Sequence, residues 1–214
     1  MFLFMFVLLP MALLYCCLRS SDKSVIGVAL TGALSGVFVC GALALFTYLH
    51  RIPQFSFIGN TLYVLLKEYI IPVVLLYTVY FFATSDDKLF KIKSFMPLML
   101  AFYSIYMPYR IIAGTDGAFS FYSLFVKPVC ILSMIIYLAK MLFLFNEGLE
   151  QKNTKNSILS VLFTILAFII PACMEGLYSL AFIVPVVYAV DFLYCLGALI
   201  LVFCDCKKQN SFLL

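Results

Sequence analysis

The stretch Gly27–Phe46, GVALTGALSGVFVCGALALF, holds twenty consecutive residues without one charged side chain. At a rise of about 1.5 Å per residue, a helix of this length matches a hydrocarbon core about 30 Å thick. Its apolar residues form one long run rather than an amphipathic stripe, so no face is set aside for water. The surrounding chain has the same character. It is 65% hydrophobic, 17% aromatic and only 11% charged, with a mean hydropathy of +1.13. A soluble domain of 214 residues needs far more charge than this to cover its surface. The fold class is therefore an all-α polytopic integral membrane protein.

Polar interruptions divide the chain into about seven expected transmembrane helices, at residues 1–18, 25–49, 61–83, 95–113, 119–145, 157–173 and 180–204. The interruptions read RSSDKS, HRIPQ, TSDDKLFKIKS, GTDG, NEGLEQKNTKN and MEGLYS. The whole of 1–214 is expected to form a single transmembrane bundle. The first span lacks the basic leader and the small-residue cleavage site of a signal peptide, so it reads as retained. Basic residues near span ends set orientation. Arg19, Lys23, Lys88, Lys91, Lys93, Lys140, Lys152, Lys155, Lys207 and Lys208 fall on one side, against Arg51 and Arg110 on the other. The N-terminus is then outside and the C-terminus cytoplasmic. The short loops and plain termini point to a bacterial cell membrane and leave no room for a soluble catalytic domain.

The net charge of +4 is spread over short loops, which argues against nucleic acid as a partner. Cys16, Cys17, Cys204 and Cys206 fall at cytoplasmic helix ends, where thiols stay reduced. Cys40, Cys130, Cys173 and Cys195 fall in apolar runs, where cysteine packs as a small hydrophobe. Cys204-Asp205-Cys206 reads as a helix end rather than a metal site, and His50 has no second histidine to complete one. No cofactor or metal is expected. No phosphate-binding loop, HExxH, paired-cysteine zinc pattern or GxSxG elbow occurs. The seven-span layout is similar to that of the PQ-loop and sugar-efflux transporters. Pro53-Gln54, the only shared fragment, lies in the wrong surroundings, so the layout assigns no function.

Two patterns bear on packing. Gly32 and Gly36 form a GxxxG flanked by Ala29, Ala33 and Ser35, a surface that lets another backbone approach closely. Pro72-Val73, Pro128-Val129 and Pro185-Val186 recur at near-equal spacing, as an ancestral helix-pair repeat would produce. Tyr103, Tyr106 and Tyr109 are expected in an interfacial belt.

Charges inside the apolar runs carry the functional argument. In LLKEYIIP, Leu65–Pro72, Lys67 and Glu68 stand side by side about two turns into the third span. Adjacent helical residues point about 100° apart, so the two should face different partners. Lys127 lies at similar depth in the fifth span, while Arg110 and Glu175 lie at the outer ends of the fourth and sixth. Asp191 lies about eleven residues into the seventh span, near mid-membrane, with Val187, Tyr188, Tyr194 and Cys195 on its face. A charge facing lipid costs on the order of 2.5–3.5 kcal/mol, so such groups turn inward, pair or reach water. Lysines near a span end can also snorkel to the headgroups; a mid-span aspartate cannot. Asp191, Glu68, Lys67, Lys127, Arg110 and Glu175 are thus the candidate substrate-binding residues, lining an outward-facing polar pocket. The expected function is a small-molecule or ion transporter, or its membrane-embedded binding subunit. The alternatives are an enzyme acting on a lipid or lipid-linked substrate from the outer face, with Glu68 and Asp191 as acid and base, and a non-catalytic subunit. The lipid bilayer is the certain partner; a second copy or a membrane partner subunit is compatible with so small a chain.

Overall fold

The computed structural model describes residues 24–49, 56–84, 87–112, 120–181 and 183–206. Among them every regular element is helical: α1 (Ser24–Leu49), α2 (Phe57–Val64), a π-helical segment (Leu65–Ile70), α3 (Ile71–Ala83), α4 (Lys88–Lys93), α5 (Phe95–Ile112), a second π-helical segment (Tyr122–Val126), α6 (Lys127–Glu150), α7 (Thr154–Ser179) and α8 (Val184–Cys206). Joined where they run on, they give six helices long and apolar enough to cross a membrane, as in a multi-pass membrane protein. The expected span over 1–18, the His50–Gln54 segment and Asp116 lie outside the described residues. The contacts fall into two compact units, Met1–Phe55 with Pro97–Val129 and Ser56–Met96 with Cys130–Leu214.

In the first unit α1 meets α5 through its glycines. A Cβ on Gly32 would run into the Leu98 carbonyl oxygen, and one on Gly36 would stand 3.1 Å from the Phe102 carbonyl oxygen. The GxxxG face is therefore the contact face, and it packs within the chain. Gly27 and Gly41 have nothing within 4 Å. Leu30, Leu34, Val37, Phe38 and Leu45 are exposed on α1. In hydrocarbon there is no gain in hiding large apolar side chains, so the small residues go to the contact and the large ones to the lipid. On α5, Tyr103 and Tyr106 are buried, which corrects the interfacial belt expected for them. They pack with Phe102, Tyr106 stacked on it at 5.4 Å and Tyr103 edge-on at 5.1 Å.

In the second unit several boundaries differ from the sequence reading. Ser56 caps α2 through the Gly59 N–H, starting this span at Phe57 rather than 61. The α6 helix continues to Glu150 rather than 145, with Asn146 donating to Glu150 one turn on at 2.9 Å. A left-handed Lys152 (φ 50°) then turns the chain, and Asn153 caps α7 through the Lys155 N–H. The expected link MEGLYS is instead the last turns of α7, which ends at Ser179 rather than 173. Nothing in MEGLYS breaks a helix, and Gly176 there lies against Thr61 of α2. The real link is 180–183, where Ala181 and Ile183 take positive φ, so α8 begins at Val184 rather than 180.

The expected loop TSDDKLFKIKS contains the helical turn α4, and Lys91 explains why. The last carbonyls of α3 have no helical N–H to bond. The buried Lys91 ammonium donates to the Phe81 and Thr84 carbonyl oxygens, both at 2.7 Å, and lies 4.7 Å from the Phe81 ring centre. Tyr80 and Ser94 share a hydroxyl hydrogen bond of 2.8 Å across the same corner.

The stretch LLKEYIIP is where the helix changes pitch. The Ile71 N–H reaches the Leu66 carbonyl, five residues back, and Pro72 follows immediately. In the other π segment the Lys127 N–H reaches the Tyr122 carbonyl, and Pro128 follows. A proline inside an α-helix removes one hydrogen bond and drives its ring into the carbonyl four residues earlier. Widening the preceding turn relieves that contact while keeping the neighbouring backbone groups bonded. Pro185 is also the second residue of an α-helix, but follows the 180–183 link instead of a π turn. Pro72 and Pro128 thus lie within continuous spans while Pro185 opens one, so the members of the Pro-Val echo do not share one structural position.

Two outcomes follow for stability in detergent. Gly32→Ala should cost about 1–3 kcal/mol through overpacking, while Gly41→Ala should be tolerated, read as paired shifts in Tm. Lys91→Met should cost about 2 kcal/mol, because it strips a cation from helix-terminal carbonyls. Exposed Lys88→Met in the same helix should leave the Tm nearly unchanged.

Candidate functional site

Polar side chains of the second unit gather at two levels. At the first, α2 and α7 run antiparallel. Asn60 donates to the Ser179 hydroxyl at 2.5 Å, and Thr61 lies against Gly176. A helical side chain leans toward its helix N-terminus. Tyr69, buried on the π segment, therefore reaches back and donates its hydroxyl to Glu175 Oε2 at 2.8 Å. Glu175 sits inside α7, four residues before its end, rather than at a span terminus.

Lys67 and Glu68 do point apart. Glu68 is buried, at 4% exposure, and stands eleven residues past Phe57. That is roughly 16 Å along the axis, deeper than the two turns expected. Lys67 donates to the Tyr63 hydroxyl at 2.6 Å, one turn back on its own span, with its ammonium 4.9 Å from that ring centre. The expectation that Lys67 ties its span to a neighbour is thus corrected, since its bond is local and its stem bends back toward the Phe57 end. The bulk of the π segment turns Glu68 and Tyr69 inward together, which α-helical spacing alone does not foretell.

At the second level Asp191 is the most deeply buried acid among the described residues, at 1% exposure. Because α8 starts at Val184, Asp191 stands seven residues in, roughly 10 Å, and not eleven. Cys195 follows one turn later on the same face. Cys130, near the start of α6, brings its Sγ to 3.8 Å from Cys195 Sγ. The Cys130 thiol also interacts with the Asp191 carboxyl, and the Cys195 thiol with the Ser133 hydroxyl. Tyr188 and Tyr194, expected beside Asp191, both lie within its electrostatic reach.

The helices around this cluster are held in register by tyrosines. Tyr137 of α6 donates to the Tyr194 carbonyl of α8 at 2.9 Å, its oxygen 2.5 Å from where a Gly197 side chain would begin. The Tyr194 hydroxyl reaches the Ala167 carbonyl of α7 at 3.4 Å. Cys130 and Cys195, expected to pack as small hydrophobes, do sit in apolar helices, and they meet there in one cluster with Asp191. Half of it was visible in sequence, since Cys195 is four residues from Asp191. Cys130 lies 65 residues from Cys195, and no local pattern links the two.

In the first unit Arg110, in the last turn of α5, and Lys127, at the start of α6, are both buried at 5% exposure. Each has polar or electrostatic partners. Ser120 caps the preceding turn by accepting from the Ser123 N–H at 3.1 Å. Among the described residues, no cluster of three or more His, Cys, Asp or Glu is placed to hold a metal ion. No protein-family model matches the chain, and no curated protein or solved structure shows a significant similarity to it.

Tyr69→Phe should destabilise the detergent-solubilised protein by about 1 kcal/mol, the scale of an interhelical hydrogen bond in a membrane. Lys67→Met breaks a bond within one helix and should change stability by no more than about 0.5 kcal/mol. Thermal unfolding of both variants checks the contrast.

Proposed function

We propose that this chain carries an ion, a proton or a small cationic solute across a cell membrane, with Glu68 and Asp191 as the carboxyl groups of the path. The observation that supports this most directly is Glu68, a carboxyl group 4% exposed on a π-helical turn far from either end of its span. A carboxyl group in that position is costly unless it serves a pathway or an internal pair. Turns that depart from α geometry are over-represented at functional sites, and transporters bind their cargo where spanning helices are interrupted.

Asp191 adds a second acid in the same unit, with the Cys130 thiol and the Tyr188 and Tyr194 hydroxyls within its electrostatic reach. The lysine and arginine distribution orients the chain with its N-terminus outside, so substrate enters toward Glu175, Glu68 and Asp191 from the outer face. Lys67, bonded to Tyr63, then anchors the mouth rather than lining the path.

The test is accessibility and flux together. Glu68→Cys and Asp191→Cys, in a background without native thiols, should react with a membrane-impermeant maleimide from outside, and faster when a cation gradient is imposed. Glu68→Gln and Asp191→Asn should reduce ion or proton flux into proteoliposomes at least tenfold, with the variants still monodisperse. If both cysteines stay unlabelled and the wild-type protein passes neither protons nor cations, the carboxyl groups are internal pairs and the transport reading is wrong.

A further inference from the structure

We propose that Cys130 and Cys195 are a redox-active dithiol that closes reversibly to a disulfide within the membrane domain, with a lipid-soluble quinone as its oxidant. The inference is independent of the transport reading. Its first support is geometric. The two sulfurs are 3.8 Å apart, in van der Waals contact. A disulfide needs about 2.05 Å between sulfurs, so closure requires each to move by less than about 1 Å, within reach of side-chain rotation. Tyr137 bonded to the Tyr194 carbonyl and seated over Gly197 fixes α6 against α8 on the far side of the pair. Each thiol is thereby held at a high effective concentration next to the other.

The second support is chemical. The thiolate, not the thiol, is the reactive form of cysteine. Polar groups adjoin the pair: the Asp191 carboxyl lies within electrostatic reach of both thiols, and the Ser133 hydroxyl beside Cys195 supports charge on that sulfur, the one that attacks.

The place of the pair selects the oxidant. Cys130 is 2% exposed, and both residues sit within helices apolar enough to span a membrane. A quinone dissolved in the bilayer reaches such a position from the side of Cys195, which is only partly buried. In the net step two S–H bonds break and one S–S bond forms. Two electrons and two protons pass to the quinone, which leaves as a hydroquinone.

The experiment uses the full chain with a protease site inserted in the exposed turn at Gln151–Asn153, between α6 and α7. The reduced, purified protein is treated with a short-chain benzoquinone, cleaved, and run in detergent gels without reductant. The two fragments should remain joined, one quinone should be reduced per chain, and mass spectrometry should find the Cys130–Cys195 peptide pair. Dithiothreitol should separate the fragments. Cys130→Ser and Cys195→Ala should abolish the linkage, while Cys40→Ser and Cys173→Ser should keep it. Fragments that separate after quinone treatment of the wild-type protein, or a linkage that survives Cys130→Ser, overturn the proposal. The peptide assignment on unsubstituted protein decides the matter even if a cysteine variant fails to fold.

Discussion

A peptide N–H or carbonyl in hydrocarbon has no water to bond, so the chain must satisfy every one of them from within itself. This constraint makes every regular element among the described residues helical, and it acts where a helix is interrupted. At Pro72 and Pro128 the turn before the proline widens, so that Ile71 bonds Leu66 and Lys127 bonds Tyr122. At the end of α3 the Lys91 ammonium takes the carbonyls that no helical N–H can reach. At the starts of α2 and α7 the side chains of Ser56 and Asn153 accept the first free N–H groups. The π segments are therefore a consequence of backbone bookkeeping, and they also determine which side chains turn inward.

With the backbones closed, the remaining question is how the helices hold together without a hydrophobic drive. Close approach at glycine is the recurring answer. In the first unit Gly32 and Gly36 admit the backbone of α5. In the second, three glycines each face a hydroxyl oxygen instead: Gly176 meets Thr61, Gly148 meets Ser157 and Gly197 meets Tyr137. A missing side chain there makes room for a polar group between two helices. The Tyr137 contact matters most for chemistry, because it keeps α6 and α8 in the register that brings Cys130 to Cys195.

Much of this was legible in the residues themselves. The membrane class, the approximate positions of six spans and the GxxxG contact follow from long apolar runs and from the spacing of small residues. So does the inward direction of Glu68 and Asp191, because short acidic side chains cannot escape to the headgroups. The misjudged boundaries share one cause. MEGLYS, NEGLE and KLFKIK are polar enough to look like loops, yet contain nothing that breaks a helix, and helices extend beyond hydrocarbon wherever caps such as Ser56 and Asn153 lie farther out. The tyrosines of α5 were misplaced because tyrosine suits both an interface and a core. Only the ring packing of Phe102, Tyr103 and Tyr106 tells which.

The sequence by itself determined that the chain crosses a membrane as helices, where charge is costly, and that Asp191 and Cys195 share one face. These depend on composition and on intervals of three or four residues, which one helix expresses without help. The tertiary structure decided that Tyr69 reaches Glu175, that Lys67 stays with Tyr63, and that Cys130 meets Cys195 beside Asp191. Such pairings depend on the register between helices and on the pitch of the π turns. Both are set by side-chain packing among segments far apart in the chain, and no local interval encodes them.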